Sequence, residues 1–111
     1  FEGILWLTLI RSLVAFPFNE TAAGQLASLF EALSDPTRLR IIAALLDGEM
    51  NVGDLVAFIG LSKSAVSHQL RGLRDKRLVR SRRQGRQVYV TLDDDHVAEL
   101  FKRGLDHVRH G

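Results

Sequence analysis

The chain has 111 residues, no cysteine, a formal net charge of +2 and a pI of about 9.5. That length supports one domain with one modest core. The missing thiols exclude disulfides, thiolate metal sites and cysteine nucleophiles. A hydrophobic share of 46% and a charged share of 25% are those of ordinary globular material. The charge is unevenly placed: nine basic residues lie between Lys63 and Arg86 against one acid, Asp75, and acids gather towards both ends. Such an asymmetry points to a local anionic partner.

Phe1–Phe18 is strongly apolar but interrupted by Glu2 and Arg11. A membrane span needs ~20 apolar residues without a central arginine, and a signal peptide needs a basic start. The segment reads as an N-terminal helix or arm packing on the core or on a partner subunit, with a membrane-associated or appended leader as the alternative. Pro17 should end any helix near Phe16. A start at Phe1 in place of Met reads as a fragment or a processed product. Residues 1–19 are thus set apart from a domain spanning 20–111.

Asn19-Glu20-Thr21 is a cap region for a helix over Thr21–Leu33, with Leu26, Leu29, Phe30 and Leu33 as its apolar stripe. Ser34-Asp35-Pro36 stops that helix and starts the next, because Asp or Ser caps and Pro suits the first helical position. The next helix, Thr37–Leu46, should largely bury Leu39, Ile41, Ile42, Ala43, Leu45 and Leu46. Gly48 ends it, and Glu49–Gly53 is expected to be a connector.

Val52–Val79 organises the rest. Asp54–Ile59 is a short helix, Gly60-Leu61 a turn that favours a left-handed residue, and Ser62–Lys76 a second helix capped by Ser62. Leu55, Val56, Ile59, Leu61, Ala65, Val66, Leu70, Leu73 and Leu78 form the buried stripes. The other face of the second helix carries Lys63, Ser64, Ser67, His68, Gln69, Arg71 and Arg74. Hydroxyls, an amide, an imidazole and cations are the groups that contact phosphates and base edges in a major groove. The competing reading is a plain solvated amphipathic helix.

Beyond Arg77 the apolar period changes from 3.6 to 2. Leu78–Arg82 and Arg86–Leu92 read as strands, and Arg83-Gln84-Gly85 as a hairpin tip with glycine at positive φ. A basic hairpin directly after such a helix is a wing. Its Arg82, Arg83, Gln84 and Arg86 are candidate backbone or minor-groove contacts, with Ser62, Lys63, Ser64, Ser67, His68, Gln69 and Arg71 on the helix. Asp93-Asp94-Asp95 opens a last helix to about Arg109, where acids suit the N-terminal dipole. Its apolar positions are Val97, Leu100, Phe101, Leu105 and Val108.

ALSDPTRLRIIAALLDGE (Ala32–Glu49), VGDLVAFIGLSKSAVSHQLRGLRDKRLV (Val52–Val79) and the RQGRQVYVTL wing resemble the ArsR/SmtB family of metal-sensing bacterial repressors. The resemblance runs from about Thr21 to His110 and leaves Phe1–Asn19 outside. It implies a mainly α winged helix-turn-helix with a small β-hairpin, a homodimer through the first and last helices, and repression of a double-stranded operator that metal binding relieves; a cytoplasmic location is the reading compatible with the absence of cysteine. Relatives with a thiolate sensor carry ELCVGDL. Here Asn51 stands at the cysteine position, so soft metals lose their preferred ligand, while imidazole and carboxylate suit zinc, nickel or cobalt.

The last helix carries Asp94, His96, His107 and His110. His107 and His110 share a face. His96 and His107 also point the same way but lie ~16 Å apart along one helix at 1.5 Å per residue. One metal with bonds of ~2 Å joins them only across two antiparallel copies. Asp94 and His96 of one subunit then meet His107 and His110 of the other, giving two equivalent sites per dimer. Asp-x-His and His-x-x-His match the last-helix site of zinc-sensing members of the resembled family, and three nitrogens with one oxygen suit tetrahedral Zn(II). Ni(II) or Co(II) would need further ligands. The competing reading is a helix end whose histidines merely suit the dipole.

An enzyme is not expected. No phosphate-binding loop, nucleophile elbow or HExxH pair is present, and a closed four-ligand set offers no open catalytic position.

Overall fold

The computed structural model describes residues 2–15 and 18–110. The expected stop at Pro17 therefore lies outside the described residues. Residues 1–31 and 32–111 form two compact units.

The first unit holds α1 (Glu2–Ala15) and most of α2 (Glu20–Ala32). Fourteen residues make α1 only ~21 Å long, short of a ~30 Å hydrocarbon layer. Among the described residues no helix is long and apolar enough to cross a membrane. Ile4, Leu5, Trp6, Leu7 and Leu9 of α1 are all more than half exposed. The start of α2 is capped by Asn19, whose Oδ1 accepts from the Ala22 N–H at 2.9 Å. The stripe expected along this helix is only partly covered. Leu29 is half-buried, whereas Leu26 and Phe30 are exposed.

The second unit is α3 (Pro36–Ala44), β1 (Met50–Asn51), α4 (Val52–Ile59), α5 (Lys63–Asp75), β2 (Val79–Gln84), β3 (Gln87–Leu92) and α6 (Asp95–His110). Asp35 caps α3 by accepting from the Arg38 N–H at 2.9 Å, with Pro36 at the first position. The core is Ile41, Ile42, Leu45, Leu55, Val66, Leu70, Leu73 and Val90, all essentially without solvent contact. Ile41 and Ile42 define the inner face of α3, and Leu45, its C-cap, continues that face. Leu39 and Ala43 lie about half a turn away from Ile41 and are exposed, against expectation. Leu61 is exposed too, because it sits in the turn beyond the buried stripe of α4.

The connector after Gly48 contains a strand that periodicity missed. Met50 pairs with Val90 and Asn51 with Tyr89, so the sheet has three antiparallel strands in the order β1-β3-β2. The β2–β3 register runs from Val79↔Leu92 to Gln84↔Gln87. The tip is thus Gly85-Arg86, one residue later than expected, and Arg83 and Gln84 belong to β2. Gly85 takes a φ of +61°, which a two-residue hairpin loop requires at its first position.

The end of α5 has its own lock. Leu78 N–H reaches the Leu73 carbonyl at 2.9 Å and Arg77 N–H the Arg74 carbonyl at 2.9 Å, the paired bonds of a Schellman motif. The left-handed residue this motif needs is Arg77, at φ +56°. A side chain in that region costs about 1–2 kcal/mol, and glycine's extra unfolded freedom returns part of it. Arg77→Gly is expected to stabilise the fold by about 0.5–1 kcal/mol, read as a raised midpoint in urea unfolding.

α6 packs on α3 and β3. Val97 is buried and Leu100, Phe101 and Leu105 are half-buried, but Val108 is 77% exposed.

Candidate nucleic-acid interface

Three local devices aim α5. Asn51 Oδ1 caps α4 by accepting from the Gly53 N–H at 2.7 Å. Gly60 ends α4 at φ +80°. Ser62 then caps α5, its Oγ accepting from the Ala65 N–H at 3.1 Å and standing 3.3 Å from Ser64 Oγ. Val66, Leu70 and Leu73 face inward, and α5 packs against α3 and α4. At 100° per residue, Ser64, His68 and Arg71 fall on the opposite face, and all three are exposed.

The two flanks of α5 differ. On one, Lys63, Ser67 and Arg74 border an open cleft of about 800 Å³ whose far wall is the wing, including Arg83 and Arg86. Arg74 Nη1 donates to Ser81 Oγ at 3.0 Å and ties helix to wing. On the other flank, Gln69 turns towards α3 and accepts from Arg38. The outward set expected from sequence is therefore divided. Ser64, His68 and Arg71 stand on the outer face, Lys63 and Ser67 line the cleft, Ser62 caps and Gln69 is engaged by Arg38.

The wing is anchored through Arg82. Its Nε and Nη2 meet the two Glu49 carboxylate oxygens at 2.8 and 2.6 Å, its Nη1 donates to Gln84 Oε1 at 2.9 Å, and its guanidinium lies 4.4 Å over the Tyr89 ring. The hydrogen bond from Arg82 holds the Glu49 carboxyl below its usual range, and Glu49 in turn raises Arg82. Arg82 and Gln84, both candidate DNA contacts, are thus occupied on the wing itself. Arg83 and Arg86 are exposed. Sequence reasoning missed Glu49 and Arg38, whose partners lie 33 and 31 residues away with no periodic signal to announce them.

The four candidate metal ligands are all exposed on α6 or at its start. Asp94 Oδ1 caps the helix, accepting from the His96 and Val97 N–H groups at 2.8 and 3.2 Å, and lies 3.5 Å from His96 Nδ1. His107 and His110 occupy the last turn. Among the described residues of one chain, no three His, Asp or Glu side chains come together as a metal site. The donors nevertheless fit zinc, because a carboxylate and an imidazole already stand side by side at one end and two imidazoles share the other.

An exposed recognition helix, a cleft lined with cations and a three-stranded basic wing define a winged helix-turn-helix regulator that binds DNA. The family description "Bacterial regulatory protein, arsR family" matches residues 35–81. The chain belongs to that family. It is 52% identical over 108 residues to a "Transcriptional repressor SmtB homolog" of Synechocystis sp., covering 97% of this chain and 82% of that protein. The match takes in most of Phe1–Asn19, which the motifs alone had left outside. A "Cadmium resistance transcriptional regulatory protein CadC homolog" of Staphylococcus aureus is 40% identical, with 75% of this chain and 69% of that protein covered. The homodimeric winged helix-turn-helix DNA-binding domain Mb0332 of Mycobacterium bovis superimposes with a TM-score of 0.75 at 29% identity, covering 82% and 86% of the two chains. These relatives are regulators, and the chain is a DNA-binding regulator and not an enzyme.

Proposed function

We propose that the chain is a cytoplasmic, homodimeric transcriptional repressor that leaves its operator when Zn(II) binds between the last helices. The observation that carries the metal reading is the split donor set of α6, with Asp94 and His96 3.5 Å apart at its start and two exposed histidines at its end. Bound Zn(II) would supply a four-coordinate cross-link between subunits. His107 and His110 of one copy would complete the pair begun by Asp94 and His96 of the other, and two-fold symmetry doubles the site. The half-buried Leu100, Phe101 and Leu105 support a helix partly completed by a second copy.

On DNA, Ser64, His68 and Arg71 would face base edges or phosphates, Lys63 and Ser67 would follow the groove wall, and Arg83 and Arg86 would reach the backbone. Release follows if the cross-linked dimer spaces its two recognition helices badly for successive major grooves. Residues 1–19 would act as an arm on the partner subunit, joined to the domain at 20–111.

A Co²⁺ titration of the purified protein, competed with Zn²⁺, tests this. Intense visible bands saturating at one metal per subunit and bleached by Zn²⁺ are expected. Weak bands would indicate six-coordination and favour Ni(II) or Co(II) as the signal. No saturable bands would sink the α6 site and leave a repressor that answers something else.

A further inference from the structure

Arg38 sits in the first turn of α3, where its N–H satisfies Asp35. Its side chain runs to the recognition helix. Nε donates to Gln69 Oε1 at 2.8 Å, and Nη1 donates to the Ala32 carbonyl at 3.3 Å. Arginine has donors only, so the atom of Gln69 that meets it must be the amide oxygen. Adenine is read by glutamine through both its oxygen and its nitrogen. With the oxygen turned to α3, that bidentate reading is closed to Gln69.

Gly72 lies one turn further on. Its φ is ordinary, so no backbone requirement explains a glycine inside a helix, where glycine is disfavoured. Space explains it. A Cβ at position 72 would stand 2.9 Å from Arg38 Nη2 and 3.4 Å from Cζ. The guanidinium therefore occupies space that a side chain at position 72 would make it give up, and giving it up means shifting off its Gln69 and Ala32 partners.

We propose that Arg38 is a positioning residue for the recognition helix: lying in the slot left by Gly72, it holds Gln69 against α3 and out of the groove. Gln69, although it sits mid-helix among the DNA-facing residues, sets how α5 is seated and reads no base. This rests on the DNA-binding reading of α5, and the test separates the two.

In the free full-length protein, Arg38→Met and Gln69→Leu should each lower the thermal midpoint, and the double variant should fall no further than the worse single one. Additive shifts would overturn the clamp without any DNA being present. On operator duplexes, Gln69→Glu keeps an oxygen for Arg38 Nε and should retain affinity within about threefold and the same ranking of single-base operator variants, whereas Gln69→Leu and Gly72→Ala should weaken all of those variants alike, with an unchanged salt slope. A tenfold loss for Gln69→Glu, or a change of preference at one base pair, would show Gln69 to be a reader. If the unsubstituted protein prefers no sequence, the DNA reading fails, while the midpoints still decide the clamp.

Discussion

Alanine at both His107 and His110 is expected to leave operator affinity unchanged and to abolish its loss on adding Zn(II). Both side chains are exposed in the last turn of α6, far along the helix from buried Val97, so their removal should cost the fold little. A coupling of 1–3 kcal/mol, typical of allosteric systems, corresponds to a roughly 5–150-fold release that the unsubstituted protein shows and the variant lacks. Fluorescence anisotropy of a labelled operator with and without Zn²⁺ reads this directly. Equal release from both proteins would exclude the inter-subunit site. Asp94 needs gentler handling because it also caps α6. Asp94→Asn keeps an oxygen for the cap, whereas Asp94→Ala would add about 1 kcal/mol of cap loss to the metal effect.

The wing should respond to charge changes in two opposite directions. Arg83→Ala and Arg86→Ala should each lower the slope of log affinity against log salt by about 1, with similar weakening on every sequence. Glu49→Gln should do the reverse. It removes an anion held against the wing and frees Arg82 from its two-pronged partner, so a phosphate gains a cation and the slope steepens by about 1. The sign with pH follows from Glu49. Its folded pKa is lowered below the reference 4.5, so the pair's contribution is present above that value and lost as pH falls through the lowered one. Wing anchoring should therefore be constant across the neutral range. If Glu49→Gln left both slope and affinity unchanged, Arg82 would be no latent DNA contact.

Local features were legible in the sequence because their causes are local. The caps at Asn19, Asp35 and Ser62, the reversal at Gly60 and the inward Val66, Leu70 and Leu73 follow from residue type and spacing, and the structure has each of them. What escaped was made by distant partners. Met50–Asn51 is too short to show a period and is a strand only because β3 passes beside it. The hairpin tip moved by one residue because strand pairing, and not the run of polar residues, decides where the turn falls. Leu39 was expected inside as part of a largely buried helix and Leu61 as part of a helical apolar stripe, yet the geometry of one nine-residue helix and one turn leaves them outside. Of the candidate site, the residue types were readable. The engagement of Arg82 by Glu49 and of Gln69 by Arg38 was not.

Asn51 also constrains how the sensor can diversify. It pairs with Tyr89, caps α4 through Oδ1 and donates through Nδ2 to Gln87 beside the wing tip. Even Gly53 is fitted to it, since a Cβ there would stand 3.0 Å from that same oxygen. A single codon change to cysteine would install the thiolate that the resembled sensors carry but dismantle a joint between helix and wing. Asn51→Cys is therefore expected to cost about 1 kcal/mol of stability through the lost cap, even though the backbone pairing with Tyr89 stays.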